Sequence, residues 1–167
     1  FLHEVSAHVP FIVKPPRSWD TPLYGRECPH LVTHADIVAT CLRAAGGEAP
    51  AGSDGVDLLA LARGEAAPRK YLDAISGGPA DGNRSSVGIT DGRWKYLWFP
   101  EGGVEQLFDL ETDRYETRDL AASADHRAKR NELRAALAAR HRGLPYGYVR
   151  DGDLVTMPLI DDKRDGR

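Results

Sequence analysis

The sequence predicts an α/β protein of α+β fragment type. An edge strand and a helix belong to a larger sheet, and a small antiparallel sheet packed with a C-terminal helix follows. Three observations carry this reading. Val9–Val13 is a continuous apolar run of the kind buried on both faces of a sheet, with a helix-patterned segment after it. Asp91-Gly92 stands between two alternating segments, the strongest short hairpin signal. Residues 125–142 are rich in Ala, Leu and Arg at helical spacing.

The 167 residues suffice for one compact domain with a core. Apolar residues make up 41% and charged residues 28%, which excludes wholesale disorder. A formal charge of −3 with interspersed signs argues against a nucleic-acid partner. No apolar run approaches the ~18 residues of a membrane span, so no membrane partner is expected. The chain opens on Phe1 with an amphipathic stretch already under way, and further residues are expected ahead of it. Two cysteines are too few for a disulfide scaffold. Cys41 lies in a helical apolar pattern and is expected buried, Cys28 lies in a Pro-flanked loop, and neither has an adjacent activating base.

In chain order, Val9–Val13 is the expected edge strand, ended by Pro15-Pro16, which cannot donate to a ladder. A helix is expected over roughly residues 35–45, capped by Thr33 or Asp36 and stopped by Gly46-Gly47. Its apolar face would carry Ile37, Val38, Cys41, Leu42 and Ala45. Asp57 can cap a short helix through Leu61 or Arg63. Tyr71–Ile75 is a candidate strand and Gly77–Asn83 a loop. A two-residue turn at Asp91-Gly92 would oppose Thr90 to Arg93, Ile89 to Trp94, Val87 to Tyr96 and Ser85 to Trp98. That register gives one buried aromatic face. Val104–Leu110 is the third antiparallel strand. In the 125–142 helix, Leu133, Ala136, Leu137 and Arg140 share a face. Asp151-Gly152 allows a second hairpin, and the terminal residues 161–167 read as frayed.

Several residue groups invite a chemical reading beside a structural one. His30 and His34 are spaced i, i+4, as two ligands of one metal would be, but Pro29 keeps His30 in a loop and no third ligand follows. His34 is therefore read as bonding at the helix start, and Asp36 as an anchor there. The Trp94/Tyr96/Trp98 stripe suits a carbohydrate platform or, opposite Val87 and Ile89, a sheet core. The acidic run Asp109–Asp113 lacks EF-hand spacing and reads as a turn. Arginines in residues 125–142 suit a solvated face.

Four segments, in order, resemble the C-terminal part of the sulfatase family, within the alkaline-phosphatase superfamily. Phe1–Glu4 with Ala7–Val13 is similar to the family's "LYEEAVRVPLIV". Leu31–Thr40 is similar to "LVSHVDLLPTLL", with Ala39 in place of proline, and Asp54–Glu65 to "DGRSLLPLLRGE". Asp91–Tyr96 and Glu105–Glu111 resemble "DGRWKYI" and the start of "EQLYDLEADPGETRNLA".

The resemblance implies a sulfuric ester hydrolase acting, as a full-length enzyme, on a small-molecule or glycan sulfate ester; the alternatives are a phosphonate or phosphate monoester hydrolase of the same superfamily and a non-catalytic α+β binding module. It implies calcium or another divalent metal and formylglycine as cofactors, supplied from outside this chain. Neither Cys28 nor Cys41 fits the family's C/S-x-P-x-R motif, so this chain is expected to hold no catalytic residue and no metal ligand. It also implies a division into residues 1–66 (end of the catalytic domain), 67–143 (C-terminal subdomain) and 144–167 (tail). His3, Glu4 and His8 come nearest the substrate, His3 where the family has Tyr and His8 where it has Arg. They are either a pocket rim, with His8 orienting an anion, or a structural ion pair beside a strand.

Overall fold

The computed structural model describes residues 2–18, 23–77 and 85–158. These form two compact units, one of Phe1–Val9 with Asp73–Arg167 and one of Pro10–Leu72. The Gly77–Asn83 loop, apart from Gly77, and residues 161–167 lie outside the described residues.

In the larger unit a four-stranded sheet has the order β1 (Leu72–Ser76), β2 (Ser86–Thr90), β3 (Trp94–Phe99), β4 (Val104–Asp109). β2, β3 and β4 are antiparallel neighbours, as expected. The hairpin register differs from the expected one by two residues. Ile89 opposes Tyr96 and Val87 opposes Trp98. The cause is the Asp91 side chain, which accepts hydrogen bonds from the backbone N–H of Arg93 and Trp94 at 3.1 and 2.7 Å. The turn therefore sits on Gly92-Arg93, and only Gly92 needs positive φ. A two-residue change of partner preserves the faces, whereas a one-residue slip would have inverted them. The Asp151-Gly152 turn does have both residues at positive φ, and it joins β5 (Val149–Arg150) to β6 (Asp153–Leu154).

Both faces of the sheet are buried, not one. Helix α4 (Arg127–His141), entered through a 3-10 turn at Ala124–His126, sets Leu133 and Leu137 against the Val87, Ile89, Tyr96 and Trp98 face. Tyr148 meets Trp98 edge-on at 5.6 Å, and its hydroxyl donates to Ser85 Oγ. The aromatic stripe is thus core, with Trp94 at its end packed on His126. The arginines of α4 do more than face water. Arg134 bonds Glu105 and Asp153, and Arg140 bonds Asp73 of β1. The opposite face carries Gly88, Lys95, Leu97 and Phe108, and the N-terminal segment covers it. Leu2 lies over Gly88, and the His3 ring meets Phe108 edge-on at 5.9 Å. A short helix α1 (Glu4–Ala7) follows.

Residues 8–16 hold no regular structure, so the edge strand expected at Val9–Val13 is absent. A strand exists by hydrogen bonding to a neighbour, and no strand among the described residues pairs with this segment.

In the smaller unit α2 (Ala35–Ala44) and α3 (Leu58–Arg63) lie together, with Asp57 capping α3 through Leu59 N–H as expected. The face of α2 differs from the expected one. Asp36, Ala39 and Thr40 are buried, whereas Ile37, Val38 and Cys41 are exposed. His34 occupies the N-cap position but makes no side-chain hydrogen bond there. The buried face is chosen by Asp36, whose carboxylate accepts from Thr33 N–H and Val56 N–H, both at 2.8 Å, and pairs with the Arg69 guanidinium. Burial opposes that charge, but Arg69 and the two backbone donors hold the Asp36 carboxyl below its usual range. Thr40 Oγ donates to the Asp36 carbonyl and accepts from Leu58 N–H.

Gly55 lets this loop lie flush on α2, since a Cβ there would collide with the Ala35 carbonyl oxygen and press on Ala39 Cβ at 3.1 Å. Gly55→Ala is accordingly expected to cost about 1–3 kcal/mol as overpacking. Urea unfolding would show the loss, and an unchanged midpoint would contradict this packing.

Candidate functional site

The N-terminal segment is fixed to the sheet by charge. Lys95 alternates with the aromatics of β3 and so points to the face that Leu2–His8 covers. Its ammonium is buried, 2.9 Å from Glu4 Oε1 and 3.1 Å from Glu116 Oε1. The first contact is a hydrogen bond. The second is an ion pair without hydrogen-bond alignment. Glu116 Oε2 accepts the Glu4 backbone N–H at 2.6 Å. One buried cation therefore joins two carboxylates from distant parts of the chain, the arrangement a buried lysine requires.

Glu116 reaches this position at φ 55, a left-handed conformation uncommon for a residue with a side chain. The surrounding turn enforces it. Asp113 accepts from Thr117 N–H and Arg118 N–H at 3.1 and 2.8 Å, closing the loop around Glu116. The turn expected from the acidic run comes just before it, where the Thr112 and Asp113 N–H groups donate to the Asp109 carbonyl. Asp109, at its start, is held by the Arg93 guanidinium.

The free oxygen of Glu4 lies 2.8 Å from His8 Nδ1, one helical turn along. Burial works against the Glu4 carboxylate, but the Lys95 and His8 hydrogen bonds outweigh it and hold its carboxyl below the usual range. Glu4, Val5, His8, Arg114 and Tyr115 line a cleft of about 150 Å³. Of the three residues expected at a pocket rim, Glu4 and His8 come together. His3 occupies the N-cap position of α1 without a side-chain capping bond and turns its ring to Phe108.

A model of the family described as N-sulphoglucosamine sulphohydrolase, C-terminal, matches residues 1–142. The chain belongs to this sulfatase family. It is 31% identical over 151 residues to an arylsulfatase of Clostridium perfringens, covering 90% of this chain and 31% of that protein. A putative sulfatase of Bacteroides thetaiotaomicron superposes with a TM-score of 0.58 at 26% identity, over 64% of this chain and 24% of that one. A 2-O GAG sulfatase gives the same TM-score and identity over the same shares of the two chains. The chain thus spans under a third of the length of these relatives.

Lys95, Glu116, Arg114 and Tyr115 were not singled out by sequence reasoning. Lys95 carried one usable signal. A lysine between Trp94 and Tyr96 on a strand buried on both sides must find carboxylates. The partners lie 91 and 21 positions away, and no local pattern names them.

Elsewhere in the same unit Asp73 receives Arg140 and His141 Nε2, and burial is again outweighed by these partners, so its carboxyl lies low. Among the described residues no three His, Cys, Asp or Glu side chains converge as a metal would need. His30 lies in the loop before α2 and His34 at its start.

The Glu4 network carries a pH signature. Its folded-state carboxyl is lowered from 4.5, so the stabilisation is complete above that value and is lost as pH falls through the lower folded value. Denaturant unfolding between pH 7 and pH 3 should show stability falling below about pH 4.5, with a shallower fall in Glu4→Gln. Identical pH slopes for the two proteins would contradict the network.

Proposed function

We propose that this chain is the C-terminal part of a sulfatase-type hydrolase that cleaves a sulfate ester, and that it acts there mainly as scaffold. The observation that carries the reading is the family match over residues 1–142, of a segment under a third the length of its relatives. In this account residues 1–66 end the catalytic domain, residues 67–143 form the C-terminal subdomain, and 144–167 form a tail. The exposed segment Val9–Val13 would add to the catalytic sheet as its edge strand. Glu4 and His8 stand at the rim of the substrate pocket, with His3 supporting α1 from the sheet side.

The family's calcium and formylglycine find no fitting residues among those described. No metal-holding cluster forms among the described residues, and Cys28 and Cys41 lie outside the modification motif. The substrate is a small-molecule or glycan sulfate ester, and the likeness to a 2-O GAG sulfatase favours the glycan.

The test compares two proteins on nitrophenyl sulfate. The 167-residue chain alone is expected to give no turnover above background. The whole polypeptide encoded by the reading frame that contains it is expected to hydrolyse the ester. Turnover by the purified chain, or a whole protein that prefers phosphate or phosphonate esters, would contradict the proposal.

A further inference from the structure

The loop after β4 presents two faces. Glu116 turns inward to Lys95, while Arg114 and Tyr115 turn outward to the cleft beside His8. The Asp113 hydrogen bonds that hold Glu116 also fix the two outward residues, since all four lie in one closed turn. Arg114 has neither ion pair nor hydrogen bond among the described residues. Tyr115 is 76% exposed and lines the cleft with Arg114.

Building on the reading that the N-terminal segment lines a substrate path, we propose that the cleft of His8, Arg114 and Tyr115 binds an anionic substituent, sulfate or carboxylate, carried on a sugar. The planar guanidinium of Arg114 supplies a charged fork matched to two oxygens of either group. His8 has Nδ1 committed to Glu4, which fixes its ring and leaves Nε2 for the ligand as a donor when the ring is protonated. Tyr115 offers an aromatic face to the C–H side of a sugar ring, with Val5 as an apolar wall. Both Glu4 oxygens are engaged, one by Lys95 and the other by His8, so the carboxylate is turned from the ligand and Arg114 supplies the attraction for the anion. The volume of about 150 Å³ suits one such substituent with part of its ring.

The test is an NMR titration of the isotope-labelled chain with glucose 6-sulfate, glucuronate and glucose. Saturable movement of the His8 and Tyr115 ring signals is expected with at least one of the anionic sugars and not with glucose. The tighter of the two identifies the substituent. Arg114→Ala is expected to weaken that binding at least tenfold, whereas Arg118→Ala, an exposed cation of the same loop outside the cleft, leaves it unchanged.

Absence of saturation, equal binding of glucose, or equal loss in Arg118→Ala would overturn the inference. The titration needs no hydrolysis and is decided independently of the proposed function. A whole protein selective for phosphate esters would sink that function and leave the result here standing. A whole protein active on sulfate esters, with a cleft that does not bind, would do the reverse.

Discussion

A single buried lysine organises the larger unit. Lys95 stands near the start of β3 with almost no access to water, and its charge is tolerable only because Glu4 and Glu116 meet it. Each partner is drawn from a segment that would otherwise be free. Glu4 brings in Leu2–His8, which then covers Gly88 and Phe108. Glu116 brings in the loop after β4, at the cost of a left-handed backbone. The direct bond from Glu4 N–H to Glu116 closes the triangle, so both segments are fixed to each other as well as to the sheet. Removing the cation would leave two carboxylates facing one another in a dry place.

Asp36 plays the corresponding part in the smaller unit with the signs reversed. A buried carboxylate gathers the Arg69 guanidinium and backbone donors from before α2 and before α3. In both units a charge that apolar burial alone would exclude has become the point on which loops converge. Such sites specify one arrangement, because every competing packing leaves the charge unpaired. The matched length of the family model and the scaffold-like chemistry of these residues point the same way. Both agree with the scaffold role proposed for this segment.

The local signals were legible in the sequence. The strands β1–β4, the Asp57 cap, α4 and the Asp151-Gly152 hairpin all follow from periodicity and turn chemistry. The aromatic face of β3 was also readable, and survived a two-residue error of register because faces alternate with period two. Long-range choices were not legible. Which face of α2 is buried depends on Asp36 finding Arg69, 33 residues on, and that pairing outweighs the apolar pattern of Ile37, Val38 and Cys41. Whether Val9–Val13 is a strand depends on a neighbour, not on the run itself. At the candidate site, Glu4 and His8 were found through the family pattern, while Lys95, Glu116 and Arg114 needed the fold to bring them together.

The central claim is that Lys95 and Glu116 hold the N-terminal segment as firmly as the sheet holds itself. Native-state hydrogen exchange of the Glu4 amide tests it most directly, because that N–H is donated to Glu116 Oε2 at 2.6 Å. In the native protein its protection should match that of the β2 and β3 amides, and in Lys95→Met it should fall to the level of a fraying terminus while the sheet stays protected. A Glu4 amide that exchanges freely in the native protein, or one whose protection survives loss of Lys95, would contradict the account.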